Sequence, residues 1–276
     1  MTTRPDIRLV LSDVDGTLVT SDKALTDAAR AAIQALAAAR VGFTITSSRP
    51  PKGLRMLVEA LDLRLPIAGF NGGLLVNPDF SVVESHPIEP AVARRTVDLL
   101  ASHGLDVWVY GEDQWFVPGA DAPHVAREAW ILRFDPVVVA AVTDRHLERA
   151  FKIVGVGDSP EPLAAAEAEL RAALGDQASA TRSSAYFLDV THPLASKAKV
   201  VHAMARWLDI AASQIATIGD MPNDVLMFRE SGYSIAMGNA SDTVKAEASA
   251  VTDSNENDGF AKAVRSLILP DDGELP

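Results

Sequence analysis

The sequence predicts an α/β protein with a parallel-sheet core, helices on both of its faces, and an inserted α+β unit. Three observations predict it. Short apolar, strand-like runs alternate with helix-like runs toward both ends of the chain. Two of those runs stop at paired aspartates, Asp13 with Asp15 and Asp220 with Asp224. The middle of the chain instead mixes hairpin signals with helices.

The elements follow in order. Residues 7–12, Ile-Arg-Leu-Val-Leu-Ser, form too short a run for a helix and suit a strand buried on both faces. Gly16 sets the turn after it. Leu25-Thr26-Asp27 opens an alanine-rich helix with Thr26 as N-cap, and Gly42 follows its end. Residues 43–46 read as a second strand. Pro50-Pro51 breaks the chain before a helix around 54–61. Residues 66–70 read as a third strand, ending at Asn71-Gly72-Gly73. This βαβαβ order implies a parallel sheet. Ligands of such sheets sit at the carboxyl ends of strands, the rim that would carry Asp13, Asp15 and residues 47–49.

Between about 84 and 189 the sequence predicts helices at 91–101, 124–130 and 162–174. Strands are expected at 106–110, 114–117, 137–142, 151–156 and 185–190. Pro87, Pro90 and the turn-rich stretch 181–184 read as linkers. The core is therefore expected at 1–83 and 190–276, with 84–189 as an α+β cap. The α/β pattern resumes with a helix at 196–208, a strand at 214–218, a helix ending near 230 and a strand at 234–237. The acidic tail after Pro270 is read as frayed.

Composition narrows the function. The 276 residues, 48% hydrophobic, can fill one large core or two smaller ones. There is no cysteine, hence no disulfide and no thiolate chemistry. No apolar run approaches the roughly 18 residues of a membrane helix, and Arg4, Asp6 and Arg8 interrupt any signal-peptide core. A cytoplasmic protein with no membrane partner is expected. A net charge of −12 without a basic run argues against a nucleic-acid partner. An anionic substrate must then be attracted locally, by a metal or by individual Lys and Arg residues. Oligomeric state is not readable.

The aspartates carry the chemistry. Two acids at the end of a buried strand repel each other and lose solvent, a burden tolerated where a cation or a reaction uses the charge. Asp-x-Asp-Gly also fits an ordinary turn. A calcium loop does not fit, because counting from Asp13 its obligatory Gly and Glu places hold Leu18 and Ala24. Asp220 and Asp224 are four apart, on one face of a helix if the helix begins there, and Asp is also a routine N-terminal cap. Carboxylates grouped without His or Cys favour a hard cation, magnesium above all. Lys197 stands at a helix start, where a cation is disfavoured unless an anion lies beside it, although most lysines are solvated surface charges. Ser47 can offer its hydroxyl and N–H to a phosphoryl oxygen, or cap a turn.

Taken together, these segments resemble the Cof-type, class IIB, branch of the haloacid dehalogenase-like superfamily. Asp13-Val14-Asp15-Gly16-Thr17 matches its first motif, and Ile45-Thr46-Ser47-Ser48-Arg49 the segment usually ending Thr-Gly-Arg. Ser196-Lys197 matches the lysine motif, and Gly219-Asp220 with Asn223-Asp224 the acidic one. Asn71-Gly72-Gly73, residues 236–240 and Asn257-Asp258-Gly259 are also typical of the branch. Ser47 replaces the commoner Thr, and Ser48 and Ala198 replace usual glycines.

The resemblance implies a Rossmann-like core and a phosphatase of small phosphorylated metabolites, sugar phosphates above all. Asp13 would be the nucleophile and Asp15 the general acid/base. Mg2+ would be held by Asp13, the Asp15 backbone carbonyl and Asp220, with Asn223 and Asp224 supporting the loop or the metal. Ser47 and Lys197 would bind the phosphate. Arg49, Asn71 and Gly72 are candidate substrate contacts. Trp108, Tyr110, Trp115, His124 and Arg133 are cap residues that can meet the leaving group or serve simply as core and surface. A sugar phosphomutase shares the same intermediate, and a silent sugar-phosphate sensor would have lost the nucleophile or the lysine. A dinucleotide fingerprint beginning at Gly155 fails, because Pro160 stands where Gly is needed.

Overall fold

The computed structural model describes residues 6–269. The readings at Arg4 and in the tail after Pro270 lie outside them. Leu9–Ser12 (β1) is buried at every position, as its apolar composition demands. Helix α1 (Asp27–Ala38) starts at Thr26, whose hydroxyl accepts the Ala29 N–H at 3.1 Å. Gly42–Ile45 (β2) returns parallel to β1. A 3-10 turn at Pro51–Leu54 leads into the short α2 (Arg55–Ala60). Ile67–Gly69 (β3), Leu74–Val76 (β4) and Val82–Ser85 (β5) then form a small antiparallel sheet.

The middle of the chain builds its own sheet. Helix α3 (Pro90–Ser102) precedes β6 (Asp106–Tyr110) and β7 (Trp115–Val117). Next come α4 (Val125–Leu132), β8 (Val137–Val138), α5 (Asp144–Leu147) and β9 (Lys152–Val156). Helix α6 (Pro160–Leu174), β10 (Ser179–Arg182) and β11 (Phe187–Thr191) complete it. The six strands lie in the order β10-β11-β9-β6-β7-β8, antiparallel except for the β7–β8 edge. Helices α3 and α6 cover one face through an apolar cluster that includes Val97, Leu100, Leu163 and Leu170.

The chain then re-enters the first sheet. Helix α7 (Lys197–Leu208), β12 (Ile215–Gly219), α8 (Val225–Phe228) and β13 (Tyr233–Ala236) follow one another. Helix α9 (Asp242–Lys245), β14 (Ala250–Val251) and α10 (Gly259–Ala263) close the fold. The resulting parallel sheet has the order β14-β13-β12-β1-β2. β1 and β12 are its central pair, and Ser12 lies opposite Ile218. One apolar cluster includes Val10, Ile33 and Phe260, and another on the opposite face includes Leu11, Val200 and Met204.

Several expectations need correction. The segment 66–70 does not continue the parallel sheet. It touches β2 through a single bridge, Thr46 to Ala68, and pairs antiparallel with β4 instead. The reason is the turn at its end, where Asn71 (φ 56°) and Gly72 (φ 95°) reverse the chain at once. The stretch 181–184 is not purely a linker, since Thr181 and Arg182 belong to the edge strand β10. Pro90 opens α3 rather than a linker, at the first turn where its missing N–H is harmless. The expected strand at 137–142 shrinks to two residues. Positions 84 and 189 fall inside β5 and β11. Among the described residues no helix is long and apolar enough to cross a membrane.

The middle unit sits on the core through aromatic contacts. Phe70 stacks on Phe151 at 5.5 Å and meets Tyr110 edge-on at 6.3 Å. Gly53 lies under Leu132, so close that a Cβ would stand 3.2 Å from Leu132 Cδ2.

Candidate active site

The site is built where β1 and β12 end side by side. Their register carries Asp13 next to Gly219, and the following residue is Asp220. Asp13 donates its N–H to the Ile218 carbonyl at 2.9 Å, which fixes the first acid on the second strand. The turns are equally constrained. Gly16 has φ +83°, and a Cβ there would stand 2.4 Å from Asp220 Oδ2. Only glycine relieves both the conformation and the contact. Gly219 meets the contact requirement alone: it lies beneath Asp224, whose Cβ would be 2.4 Å from an added one.

Lys197 is the hub. It is the first residue of α7, whose Ser196 cap accepts the Ala198 N–H. Its side chain is 2% exposed, and its Nζ donates to Asp13 Oδ1 at 2.5 Å and to Asp224 Oδ1 at 2.6 Å. The other Asp224 oxygen accepts the Asp220 and Met221 N–H groups at 2.9 and 2.8 Å. Asp220 accepts from Thr17 Oγ1 at 2.8 Å and from Asn239 Nδ2 at 3.3 Å. Asn223 donates to Asn71 Oδ1 at 3.0 Å, tying the acidic loop to the left-handed turn after β3.

The charges are crowded. Oxygens of Asp13, Asp220 and Asp224 all lie within 4.8 Å of one another. Burial pushes the Asp13 carboxyl well above its usual range; Lys197 opposes this, and Asp224 and Asp220 add to it. Burial lifts Asp220 to about 6, against the Thr17 hydrogen bond, with Asp224 adding repulsion. Burial works against the Lys197 charge, yet Asp13 and Asp224 outweigh it and keep the ammonium protonated. The surplus negative charge and all-oxygen donor set fit a hard divalent cation. Lys197 and two N–H groups occupy both oxygens of Asp224, whereas Asp13 keeps Oδ2 clear of Lys197 and Asp220 meets only neutral donors. Asp13 and Asp220 are therefore the better-placed carboxylates to hold one.

Asp15 faces a different environment. Arg49 grips it with two bonds, Nε to Oδ2 at 2.7 Å and Nη2 to Oδ1 at 2.5 Å, and Lys23 Nζ approaches Oδ1 at 2.7 Å. Burial acts to raise this carboxyl, but the Arg49 and Lys23 bonds and charges prevail and hold it below its ordinary value. The third branch of Arg49 donates to the Ile131 carbonyl of α4 at 3.0 Å. Arg49, a candidate substrate contact from sequence, is thus engaged by Asp15 and by the cap.

A cavity of about 400 Å3 opens over these groups. Asp13, Asp15, Ser48, Asn71, Lys197 and Asn223 wall it from the core, and Thr181, Arg182, Ser183 and Asp189 from the cap. Ser47 is buried behind this wall, its hydroxyl accepting the Arg49 N–H at 3.1 Å, while its neighbour Ser48 reaches the surface of the cavity. Gly72 packs against Ser196 and Val200, where a Cβ would stand 2.9 Å from the Ser196 carbonyl. Trp108 and Tyr110 line an adjoining space, and Trp115 stacks on Tyr110 at 5.7 Å inside the cap. His124 packs on Tyr186, and Arg133 lies over the Trp130 ring. A larger cavity lies near the starts of β1 and β2, walled by Arg8, Gly42 and Leu63, and holds none of these acids. Sequence reasoning missed Ser48, Lys152, Asp189 and the 181–183 hydroxyls. The last carried a signal, a run of Thr and Ser before a strand, that reads equally as a turn.

Acids and a lysine grouped over a parallel sheet, facing a second six-stranded sheet, are the equipment of an enzyme that handles phosphate esters, a phosphoric monoester hydrolase. Residues 10–264 match the haloacid dehalogenase-like hydrolases, and the chain belongs to that family, in its Cof-type branch. It is 28% identical over 265 residues to the 5-amino-6-(5-phospho-D-ribitylamino)uracil phosphatase YcsE of Bacillus subtilis, covering 96% of this chain and 97% of the relative. It is 27% identical over 278 residues to the pyridoxal phosphate phosphatase YbhA of Escherichia coli, covering 95% and 99%. A haloacid dehalogenase-like hydrolase from Bacteroides thetaiotaomicron has the same fold, with a TM-score of 0.84 at 24% identity over 94% of this chain and 98% of that one.

Proposed function

We propose that this chain is a magnesium-dependent phosphatase of small phosphorylated metabolites, sugar and polyol phosphates foremost, acting through an aspartyl-phosphate. The observation that carries the reading is Lys197 held between Asp13 and Asp224 beside Asp220, at the strand ends of a parallel sheet. A nucleophilic carboxylate must approach an anionic phosphoryl group, and a fixed ammonium beside it lowers the repulsion. Asp13 attacks phosphorus, the bond to the ester oxygen breaks, and that oxygen takes a proton from Asp15. Water then attacks the aspartyl-phosphate, Asp15 takes its proton, and inorganic phosphate leaves with the Asp13 carboxylate restored. Asp13, Asp220 and the Asp15 carbonyl would hold Mg2+, which would neutralise charge on the anions brought together. Arg49 and Lys23 hold the Asp15 carboxyl below its ordinary value, which suits its role as base in the second step. To act as acid in the first step, Asp15 must take up a proton from water as the substrate enters and these two cations give way.

Residues 84–189 serve as the cap that contacts the leaving group and excludes water. The hydroxyls of Ser179, Thr181, Ser183 and Thr191 on the cavity wall support a polyhydroxylated leaving group, and the phosphatase names of the relatives support the ester class. Rapid quenching with a 32P-labelled ester tests the reading. Label is expected on Asp13, lost in Asp13→Asn, and absent when a chelator removes divalent metal. Steady turnover without label on the protein would favour direct attack by water.

A further inference from the structure

Trp108, Lys152 and Asp189 bring one unmet donor and one loosely held ion pair to a single cavity of about 170 Å3, between the cap sheet and Ser48 of the core. Glu128 on its wall is already bound by the Tyr110 hydroxyl. Trp108 is 1% exposed, and its Nε1 has no hydrogen-bond partner among the described residues. Lys152 is buried on β9. Its ammonium has one long bond, to the Ser48 carbonyl at 3.4 Å, and a loose ion pair with Asp189 at 3.8 Å; it also lies 4.7 Å over the Tyr110 ring. An ammonium has three donors, so this one is under-used. The Asp189 carboxylate accepts no hydrogen bond among the described residues and has Lys152 as its only ion-pair partner there.

An unmet indole N–H beside a loosely paired lysine and aspartate, all around a single space, is not explained by packing. Buried polar groups are normally hydrogen-bonded, and leaving the Trp108 Nε1 donor unmet works against the fold. An interface that needed only to be filled would carry apolar side chains. The space also adjoins the larger cavity, because Ser48, Ser183 and Asp189 wall both. Asp13 and Asp189 line the same cavity, so a leaving group whose phosphate meets Asp13 can extend to Asp189 and beyond.

We propose that this cavity is a subsite for the far end of the leaving group, and that Trp108, Lys152 and Asp189 set specificity there. It takes a head that offers acceptors to Trp108 Nε1 and Lys152 Nζ and a donor to Asp189. The shared chemistry is a compact donor–acceptor edge, found on the vicinal hydroxyls of a polyol and on the polar rim of a flat heterocycle. Tyr110 and Phe187 supply apolar sides that suit either. The proposal rests on the phosphatase reading and adds the chemistry of the leaving group to it.

The test measures kcat/KM for ribitol 5-phosphate, pyridoxal 5-phosphate and phenyl phosphate, the last lacking the polar edge. Trp108→Phe removes one donor and keeps the ring, and Asp189→Asn keeps the shape. A site built to bond a polar head discriminates strongly against a substrate lacking it. The preference for a polar-headed ester over phenyl phosphate is therefore expected to fall about tenfold or more in Asp189→Asn and about three- to tenfold in Trp108→Phe. A fall confined to the ribitol or to the pyridoxal ester identifies the source of the head. Preferences unchanged in both variants overturn the subsite while leaving the phosphatase reading intact. Turnover of none of the esters by the wild type overturns both.

Discussion

Replacing Asp220 with Asn should make the metal-free protein more stable at pH 8, although it removes a residue assigned to the metal. Burial raises Asp220 from its ordinary 3.8 to about 6, so above pH 6 the fold carries a charge that it would rather not hold. At about 1.4 kcal/mol per pH unit, that gap is worth about 3 kcal/mol. Between the ordinary value and about 6 the folded state binds the proton that the unfolded state has released. The Asp220 contribution to stability therefore falls as pH rises through this window, and it stays low above it. Asn is neutral throughout and keeps an oxygen for the Thr17 hydroxyl, though the bond is weaker without the charge. A net gain of about 1–3 kcal/mol is expected at pH 8 with chelator, an increase in Tm of roughly 3–10 °C. The advantage should shrink to ~0.5 kcal/mol by about pH 4, where Asp220 is protonated in the folded state and about half protonated in the unfolded one, and vanish below that. Added Mg2+ should reverse the order at pH 8, since wild type would gain about 2.7 kcal/mol at a hundredfold excess over Kd and the variant far less. Thermal unfolding from pH 4 to pH 8, with chelator and with Mg2+, measures all of this. A variant that is less stable than wild type by the same amount at every pH would refute the reasoning, because the hydrogen bonds of Asp220 would then outweigh its charge.

Other substitutions probe other parts of the site. Asp15→Asn should lower turnover about a hundred- to ten-thousandfold, the usual size of a lost general acid. In single-turnover assays the loss in the first step should be smaller for esters with good leaving groups, which need little protonation. Lys197→Met strands Asp13 and Asp224 as buried neighbouring acids; a loss of about 3–5 kcal/mol is expected at pH 8, measured by denaturant unfolding, and less where the acids can protonate. Gly16→Ala forces a Cβ into Asp220 at a positive φ, and turnover should collapse with far-UV circular dichroism unchanged.

The acids were legible because each pair follows a strand that is almost wholly apolar. Leu9 to Leu11 and Ile215 to Ile218, apolar but for Thr217, read as strands buried on both faces, and a charged residue soon after such a run stands on the rim. Lys197 was legible for a similar local reason, a cation at a helix start that needs an anion. Residues 66–70 misled because an apolar run buried on both faces reads as parallel strand. Whether it continues the sheet depends on the left-handed turn at Asn71, where the side chain can accept from Asn223 only once the acidic loop has folded. Thr181 and Arg182 read as turn because strand propensity at a sheet edge is weak, and pairing with Asp189 and Leu188 supplies the rest. Lys152 and Asp189 are single polar residues on cap strands. Nothing in their neighbourhoods along the chain says that Ser48 will lie below them.

Register is what turns two motifs 207 residues apart, Asp13 and Asp220, into one site. With Ser12 opposite Ile218, the first residue beyond β1 is an acid and the second beyond its partner residue on β12 is another. A slip of one residue would move Asp13 along the neighbouring strand and exchange the faces of β1, driving Val10 from one apolar cluster and Leu11 from the other. The core on both faces therefore protects the placement of the acids. That protection matters because the acids oppose the fold when no cation is present, as the raised Asp13 and Asp220 show. Burial of the central strands stabilises the scaffold, and the scaffold holds charges that would separate if left to themselves. Asp15 lies outside this rigid pairing, on the turn set by Gly16, and its side chain is positioned by Lys23, by Arg49 and, through Arg49, by α4 of the cap. The residue assigned to move protons is thus the one whose placement depends on the cap. The side chains assigned to attack and to metal are fixed by the sheet and by core residues, Lys197 on Asp13 and Thr17 and Asn239 on Asp220, so a displaced cap would disturb proton transfer before it disturbed them.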